Sequence, residues 1–255
     1  MDFSTPRPPW LNVKKYSGKT VLIPHAHTDD ADWACGGTAA RLAAAGAEVI
    51  YVVATDGEAG SSDLEITQEE LIEIRRGEQR DANDILGVSD TIFLGHQDGR
   101  LHRVPDLEEQ VMKLVREYKP ELVITFDPEW PEHRMHPDHR AIAIATIRSC
   151  NFSGLSMTYG DGSHQEPHRC DELLLWGPKK PNLWVNVSKY TYEKLAALAA
   201  HRSQMEHLLP GPLHDLVYRL IDSGENPVTK TLPGLIHSSF FVEPFRRYPL
   251  GSLLR

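Results

Sequence analysis

The chain has 255 residues, of which 40% are hydrophobic and 25% charged, so it is long enough to bury the core of one substantial domain. Its formal net charge of -9 argues against nucleic acid as a partner, because a nucleic-acid-binding surface needs a basic patch. It has neither a signal-peptide h-region nor an apolar run of membrane-spanning length, so we expect a cytoplasmic protein with no membrane partner.

Strand and helix patterns alternate along the first part of the chain. In chain order they predict a strand at 21–24, a helix over 38–45, a strand at 48–54, a helix over 67–86, a strand at 91–94, a helix over 104–118, a strand at 121–126 and a helix from about 137 to 149. The strand at 48–54 is nearly all apolar, as expected for a strand covered on both faces. The alternation predicts the α/β class, with a Rossmann-like, mostly parallel sheet flanked by helices.

The rest of the chain gives fewer periodic signals. Residues 151–180 are rich in Gly, Ser, His and Pro, which predicts a long irregular segment serving as a rim or lid over a site. A strand at 183–187 and a helix over 190–205 follow, and residues 1–17 are predicted to be an N-terminal extension. Because no repeat or linker divides the chain, we predict one domain over 1–255.

Polar segments follow the predicted strands. In a parallel sheet, the carboxyl ends of the strands meet at one edge, where ligands bind in open α/β folds. We therefore expect an active-site crevice to be formed there by the segments 24–30, 55–60, 94–99 and 127–139.

Two of these segments carry metal-binding residue types: PHAHTDD from Pro24 and HPDH from His136. A catalytic zinc ion needs about three protein ligands and one open position for water. His27, Asp30 and His139 could supply the ligands, while Asp29 points away from its neighbour and remains as a general base. This combination predicts a zinc hydrolase.

Other interpretations remain open at this point. Asp29 or Asp30 could merely cap the following helix, and His136 and His139 could lie on a solvated loop. Two histidines and a carboxylate also form the facial triad of non-haem iron enzymes, and a metal could only brace the loops of a non-catalytic protein. Cys35 is near the site, but a small buried residue at a helix start is the favoured interpretation.

The motifs resemble those of the PIG-L/LmbE-like family of zinc N-deacetylases, and within it the archaeal diacetylchitobiose deacetylases. The resemblance covers roughly residues 20–245. It rests on the two segments above and on Cys35-Gly36-Gly37-Thr38, Thr55-Asp56-Gly57-Glu58, Arg75-Arg76, Asp127-Pro128, Lys180-Pro181-Asn182, Ala200-His201-Arg202-Ser203-Gln204 and Leu232-Pro233-Gly234-Leu235.

This resemblance implies a role for each residue of the two segments. His27, Asp30 and His139 match the family's zinc ligands, Asp29 matches its general base, and His136 matches the histidine that stabilises the oxyanion. The implied cofactor is Zn²⁺, and the implied reaction is hydrolysis of the acetamide of a small N-acetylated sugar. GlcNAc, N,N'-diacetylchitobiose and GlcNAc conjugates all fit, and a homo-oligomer, trimer or hexamer, is expected.

Further positions are expected to act near these groups. Asp138 could orient His136 or could be a first-turn acid of the helix. Arg75 and Asp98 match positions that contact the sugar, and His237 lies near a histidine that the archaeal relatives supply from a neighbouring subunit. Trp130 could stack on a pyranose face or simply pack.

Three further positions in or near the motifs have no assigned catalytic role. For His201, a buried structural role is at least as expected as a catalytic one. Thr28 stands where the family usually has proline, and Ala31 stands where it often has glutamate. Neither departure changes a ligand or the base.

Overall fold

The computed structural model describes residues 9–130, 136–158, 166–204 and 242–251. These residues form one seven-stranded sheet flanked by five α-helices, which confirms the predicted α/β class. The strands are β1 (Thr20–His25), β2 (Glu48–Thr55), β3 (Asp90–His96), β4 (Leu122–Phe126), β5 (Glu172–Trp176), β6 (Leu183–Asn186) and β7 (Val242–Tyr248). The helices are α1 (Asp30–Ala44), α2 (Gln68–Leu86), α3 (Leu107–Tyr118), α4 (Pro137–Phe152) and α5 (Thr191–Ala200).

The strand order is β3-β2-β1-β4-β5-β7-β6. The predicted strands β1 to β4 pair in parallel, as expected, and β5 extends this parallel part, while β7 runs antiparallel to both β5 and β6. β1 and β4 are neighbours in the sheet. The chain leaves β1 toward β2, on one side of this pair, and leaves β4 toward β5, on the other side, so the strand order reverses between them. The crevice at this reversal, between the carboxyl ends of β1 and β4, is where open α/β sheets bind ligands.

Burial explains why these segments form strands. Apart from half-buried Thr20, all residues of β1 and β4 are buried, and in β2 only Glu48 is exposed. Their near-continuous apolar sequences therefore suit a sheet covered on both faces. Two helix groups provide the cover: α1, α2 and α5 pack together, and α3 packs on α4.

Local signals fix the ends of the helices well. Thr67 and Glu70 form a capping box at the start of α2, and Gly87 ends that helix with a left-handed φ of 74°. Pro137 occupies the first turn of α4, as predicted. None of the helices in the described ranges is long and apolar enough to cross a membrane.

Two predictions about chain organisation need correction. The segment 151–180 is not irregular throughout, because its short apolar run at Glu172–Trp176 forms β5 in the interior of the sheet. The helix predicted over 190–205 ends at Ala200 and is followed by a 3-10 turn. The described part of the N-terminal extension packs on the domain, with Leu11 and Tyr16 buried.

Helix α1 is bent where its sequence is least helical. Cys35 has φ -140°, and this separates the first turn from the following Gly-Gly-Thr segment. Glu243, on β7, accepts hydrogen bonds from the backbone N–H groups of Gly37 and Thr38 at 3.2 and 2.8 Å. This carboxylate acts as an N-terminal cap for the second half of α1, and it thereby joins β7 to the helix that begins at the site.

Candidate active site

Side chains from the carboxyl end of β1 and the start of α4 meet in the crevice. His27 Nδ1 lies 3.3 Å from Asp30 Oδ2, and His139 Nε2 lies 3.2 Å from both Asp30 Oδ1 and His27 Nδ1. Ligand atoms about 2.1 Å from a tetrahedral zinc ion are separated by about 3.4 Å from one another. The three side chains of the predicted ligand set are therefore close together, with Asp30 contacting the two histidines through different carboxylate oxygens.

The charges around His27 also fit a cation. Its Nε2 atom lies 3.1 Å from Asp98 Oδ1 and 3.6 Å from Asp138 Oδ2, on the side of the ring away from Asp30. Burial lowers the pKa of His27, but Asp30, Asp138 and Asp98 raise it by more, to well above its usual range. Three carboxylates around one imidazole leave an excess of negative charge, which a divalent metal would neutralise.

Asp29 is not used as a helix cap. It occupies the N-cap position of α1, but its side chain accepts no capping hydrogen bond. Asp30 Oδ2 instead accepts the backbone N–H of His27 at 2.7 Å, which closes the loop. The capping alternative therefore fails for Asp29, and its carboxylate lies 3.7 Å from Arg75 Nη2.

His139 is held between two flat groups. Its ring stacks on Phe126 and on His136, each with a centroid separation of 4.3 Å. A ring nitrogen of His136 also lies within 4.8 Å of a ring nitrogen of His27 and of one of His139. His136 therefore lies next to the predicted ligand residues. Burial lowers the pKa of His136, and the two neighbouring histidines lower it further. It is therefore neutral near pH 7 and can donate one ring N–H.

Asp138 does not take the direction that we expected. Its two carboxylate oxygens accept the backbone N–H groups of Gly99 and Leu101 at 2.6 and 2.9 Å, and Oδ2 also faces His27. These bonds fix the side chain toward the 99–101 turn, so the expectation that Asp138 orients His136 is corrected. It is a buried first-turn acid of α4 that supports the ring of His27.

The expected substrate residues are found in different environments. Arg75 is buried and bonded to Thr28 and Gly57, so it is not part of a surface ion pair. Asp98 borders the centre through its contact with His27. Trp130 is half-buried in the loop after β4, and its backbone N–H donates to the backbone carbonyl of Asp127 at 3.2 Å. His237 lies outside the described residues, and contact with a sugar stays a prediction for the other three.

Sequence reasoning missed a buried polar group behind the centre. Asp32, in the first turn of α1, accepts Tyr51 Oη–H at 2.9 Å and pairs with His201 Nε2 at 2.7 Å. His201 is fully buried, which agrees with the structural role considered for it. Cys35 lies close by as a buried thiol whose pKa is raised well above its usual range by burial, so the interpretation as a small core residue stands.

A second missed contact holds the residue that directly follows β4. Asp127, the first residue after β4, forms a bidentate ion pair with Arg246 of β7 at 2.6 and 2.8 Å. An acid directly after a buried strand was the available signal, but its partner lies in a strand that was not predicted.

Comparison with known proteins identifies the family of this chain. Residues 22–150 match the family model described as PIG-L, GlcNAc-PI de-N-acetylase. The chain is 31% identical to a diacetylchitobiose deacetylase of Thermococcus kodakarensis, over 77% of this chain and 72% of the relative. It is also 31% identical to a probable N-acetyl-alpha-D-glucosaminyl L-malate deacetylase 2 of Bacillus cereus, over 74% of this chain and 85% of the relative.

A solved structure shows the same likeness in three dimensions. The N,N'-diacetylchitobiose deacetylase of Pyrococcus horikoshii superposes with a TM-score of 0.76 and 29% identity, covering 93% of this chain and 86% of that one. The family model, the relatives and the fold all agree with the motifs of the two site segments. The chain belongs to the PIG-L family of N-deacetylases.

Proposed function

We propose that the protein is a zinc-dependent N-deacetylase that removes the acetyl group from GlcNAc-type sugars. The observation that carries this proposal is the cluster of His27, Asp30 and His139, next in the chain to Asp29, whose side chain makes no capping hydrogen bond. Histidine nitrogen and carboxylate oxygen are ligands that zinc accepts, and three of them leave room for water. A metal that only braced the loops would need no such additional carboxylate.

The proposed reaction divides the work among neighbouring side chains. A bound zinc ion would supply a water of lowered pKa and a Lewis acid for the amide carbonyl. Asp29 accepts a proton from the attacking water while the water oxygen bonds to the carbonyl carbon. His136 donates a ring N–H to the oxygen that becomes negative. Asp29 then gives the proton to the nitrogen as the C–N bond breaks, releasing acetate and the free amine.

The substrate class comes from the relatives. Their names give diacetylchitobiose and N-acetylglucosaminyl malate as substrates, and both contain an acetamide on a glucosamine ring. We infer the same acetamidosugar for this chain, with Asp98 and Trp130 as the residues that contact it. Arg75 is 3% exposed and bonded to Thr28 and Gly57, so we infer that it acts beside Asp29 and not on the sugar. A homo-oligomer that brings His237 to a neighbouring site, and a cytoplasmic location, stay predictions.

The proposal is tested by acetate release from GlcNAc, N,N'-diacetylchitobiose and GlcNAc conjugates with zinc-loaded protein. Asp29→Asn should bind zinc as the wild type does and lose at least about a hundredfold in kcat, the usual contribution of a general base. Asp63→Asn, at an exposed position, is the matched control and should keep its rate. An Asp29→Asn variant with an unchanged rate, or one that loses its zinc, contradicts the role assigned to Asp29.

The iron alternative makes a different prediction. A non-haem iron enzyme of this ligand set would consume oxygen when loaded with Fe²⁺, whereas a hydrolase would release acetate without oxygen. Metal analysis of the purified protein, with both assays run in air and under nitrogen, separates the two chemistries.

A further inference from the structure

The hydroxyl of Thr28, the residue before the proposed general base, makes a buried contact with Arg75. Thr28 Oγ1 accepts the Nε–H of Arg75 at 3.2 Å. The two side chains are almost fully enclosed, with 1% of Thr28 and 3% of Arg75 exposed.

The guanidinium of Arg75 occupies a space shaped for it. Its Nη1 donates to the carbonyl of Gly57 at 2.8 Å. A Cβ atom at Gly57 would lie 2.5 Å from Nη1, and one at Gly60 would be closer still. Because both positions are glycine, the loop after β2 can close over the guanidinium.

The remaining side of the guanidinium faces the base. With Nε on Thr28 and Nη1 on Gly57, the plane of the group is fixed by two bonds, and Nη2 is left 3.7 Å from Asp29 Oδ2. Asp29 has no capping bond to hold its side chain. The described contacts that orient this carboxylate therefore include the charge on Arg75.

We propose that Thr28 is a positioning residue: its hydroxyl holds the guanidinium of Arg75 beside Asp29 and so fixes the direction of the general base. The proposal rests on the proposed deacetylase function. It predicts that loss of the hydroxyl slows the chemical step and leaves substrate binding and zinc binding nearly unchanged. The reason is that a wrongly oriented base lowers the rate of proton transfer and contributes little to binding.

Three variants test this on the zinc-loaded protein. Thr28→Val removes the hydroxyl at constant volume, and we expect kcat to fall about tenfold, with KM within about twofold of wild type. Thr28→Ser keeps the hydroxyl and should restore most of kcat. Thr125→Val is the matched control, since it removes another buried threonine hydroxyl, one that donates to Pro24 at 2.8 Å.

A second readout does not depend on turnover. In 15N-labelled protein, the Nε–H of Arg75 should exchange slowly in the wild type and in Thr28→Ser, and rapidly in Thr28→Val. An unchanged kcat in Thr28→Val, or a rise in KM alone, overturns the inference even if the protein is a deacetylase. Rapid exchange in the wild type overturns the contact itself. If the wild type releases no acetate, the proposed function fails, while the exchange measurement still decides whether Thr28 holds Arg75.

Discussion

His27 Nε2 lies 3.1 Å from Asp98 Oδ1, so a carboxylate contacts the imidazole on the side away from Asp30. An imidazole that binds metal through Nδ1 carries its proton on Nε2, and a carboxylate there fixes both the tautomer and the ring orientation. The pKa of Asp98 is consistent with this role. Burial raises it, but the hydrogen bond and charge of His27 lower it by more, so the carboxylate stays ionised.

Replacing Asp98 by asparagine should therefore weaken zinc binding without removing a ligand. We expect the Kd for zinc to rise about 10- to 100-fold, the usual effect of losing a partner that orients a ligand. Competition with a chelating dye measures this directly. Asp106→Asn, on the exposed N-cap position of α3, is the control and should keep the wild-type Kd. An equal Kd for Asp98→Asn and wild type would show that Asp98 does not support His27.

Much of the centre could be predicted because strand ends can be recognised in the sequence. His27 and His139 are separated by 112 residues in the chain. His27 follows β1, and His139 lies in α4, the helix that comes after β4, while β1 and β4 are neighbouring parallel strands. The carboxyl ends of such strands meet at one edge, so a shared centre follows from the topology. The capping box of Thr67 and Glu70 likewise fixed the start of α2.

What could not be predicted depends on the path of the chain in three dimensions. The direction of Asp138 is set by the backbone of the 99–101 turn, and no sequence pattern reports where that turn points. The partner of Asp127 is on β7, which joins the sheet only by pairing with β5 and β6. His201 meets Asp32 because α5 packs on α1 and α2, which is a tertiary contact.

The ion pair of Arg246 with Asp127 should contribute measurably to stability. Asp127 is 1% exposed, so removing the guanidinium leaves a buried carboxylate without that neutralising charge. We expect Arg246→Met to lower the free energy of unfolding by about 1.5–3 kcal/mol. Arg247→Met is the matched control on the same strand, because Arg247 pairs with Glu172 while its side chain is 48% exposed. That variant should lose less than about 1 kcal/mol.

Denaturant unfolding of the zinc-loaded variants, followed by tryptophan fluorescence, measures both losses. If Arg246→Met and Arg247→Met lose the same free energy, the pair with Asp127 is no more stabilising than a surface contact.

The pair of His201 with Asp32 should make stability depend on pH. Burial lowers the pKa of His201, but the hydrogen bond and charge of Asp32 raise it by more, so its folded pKa lies above the ordinary value for histidine. The folded state therefore binds this proton more tightly than the unfolded state does. The stabilisation is complete below the unfolded pKa and is lost as the pH rises through the folded pKa.

His201→Gln should remove this dependence. We expect its deficit in unfolding free energy against wild type to be about 1–3 kcal/mol near pH 6, and to shrink as the pH rises through the folded pKa of His201. Tyr51→Phe is the control, since it removes a hydrogen bond to the same carboxylate. Burial and Asp32 raise the pKa of Tyr51 well above 10, so this group does not titrate in the measured range and the deficit of Tyr51→Phe should be constant. A deficit of His201→Gln that is equally constant, or that grows with pH, would mean that His201 is neutral in the folded protein.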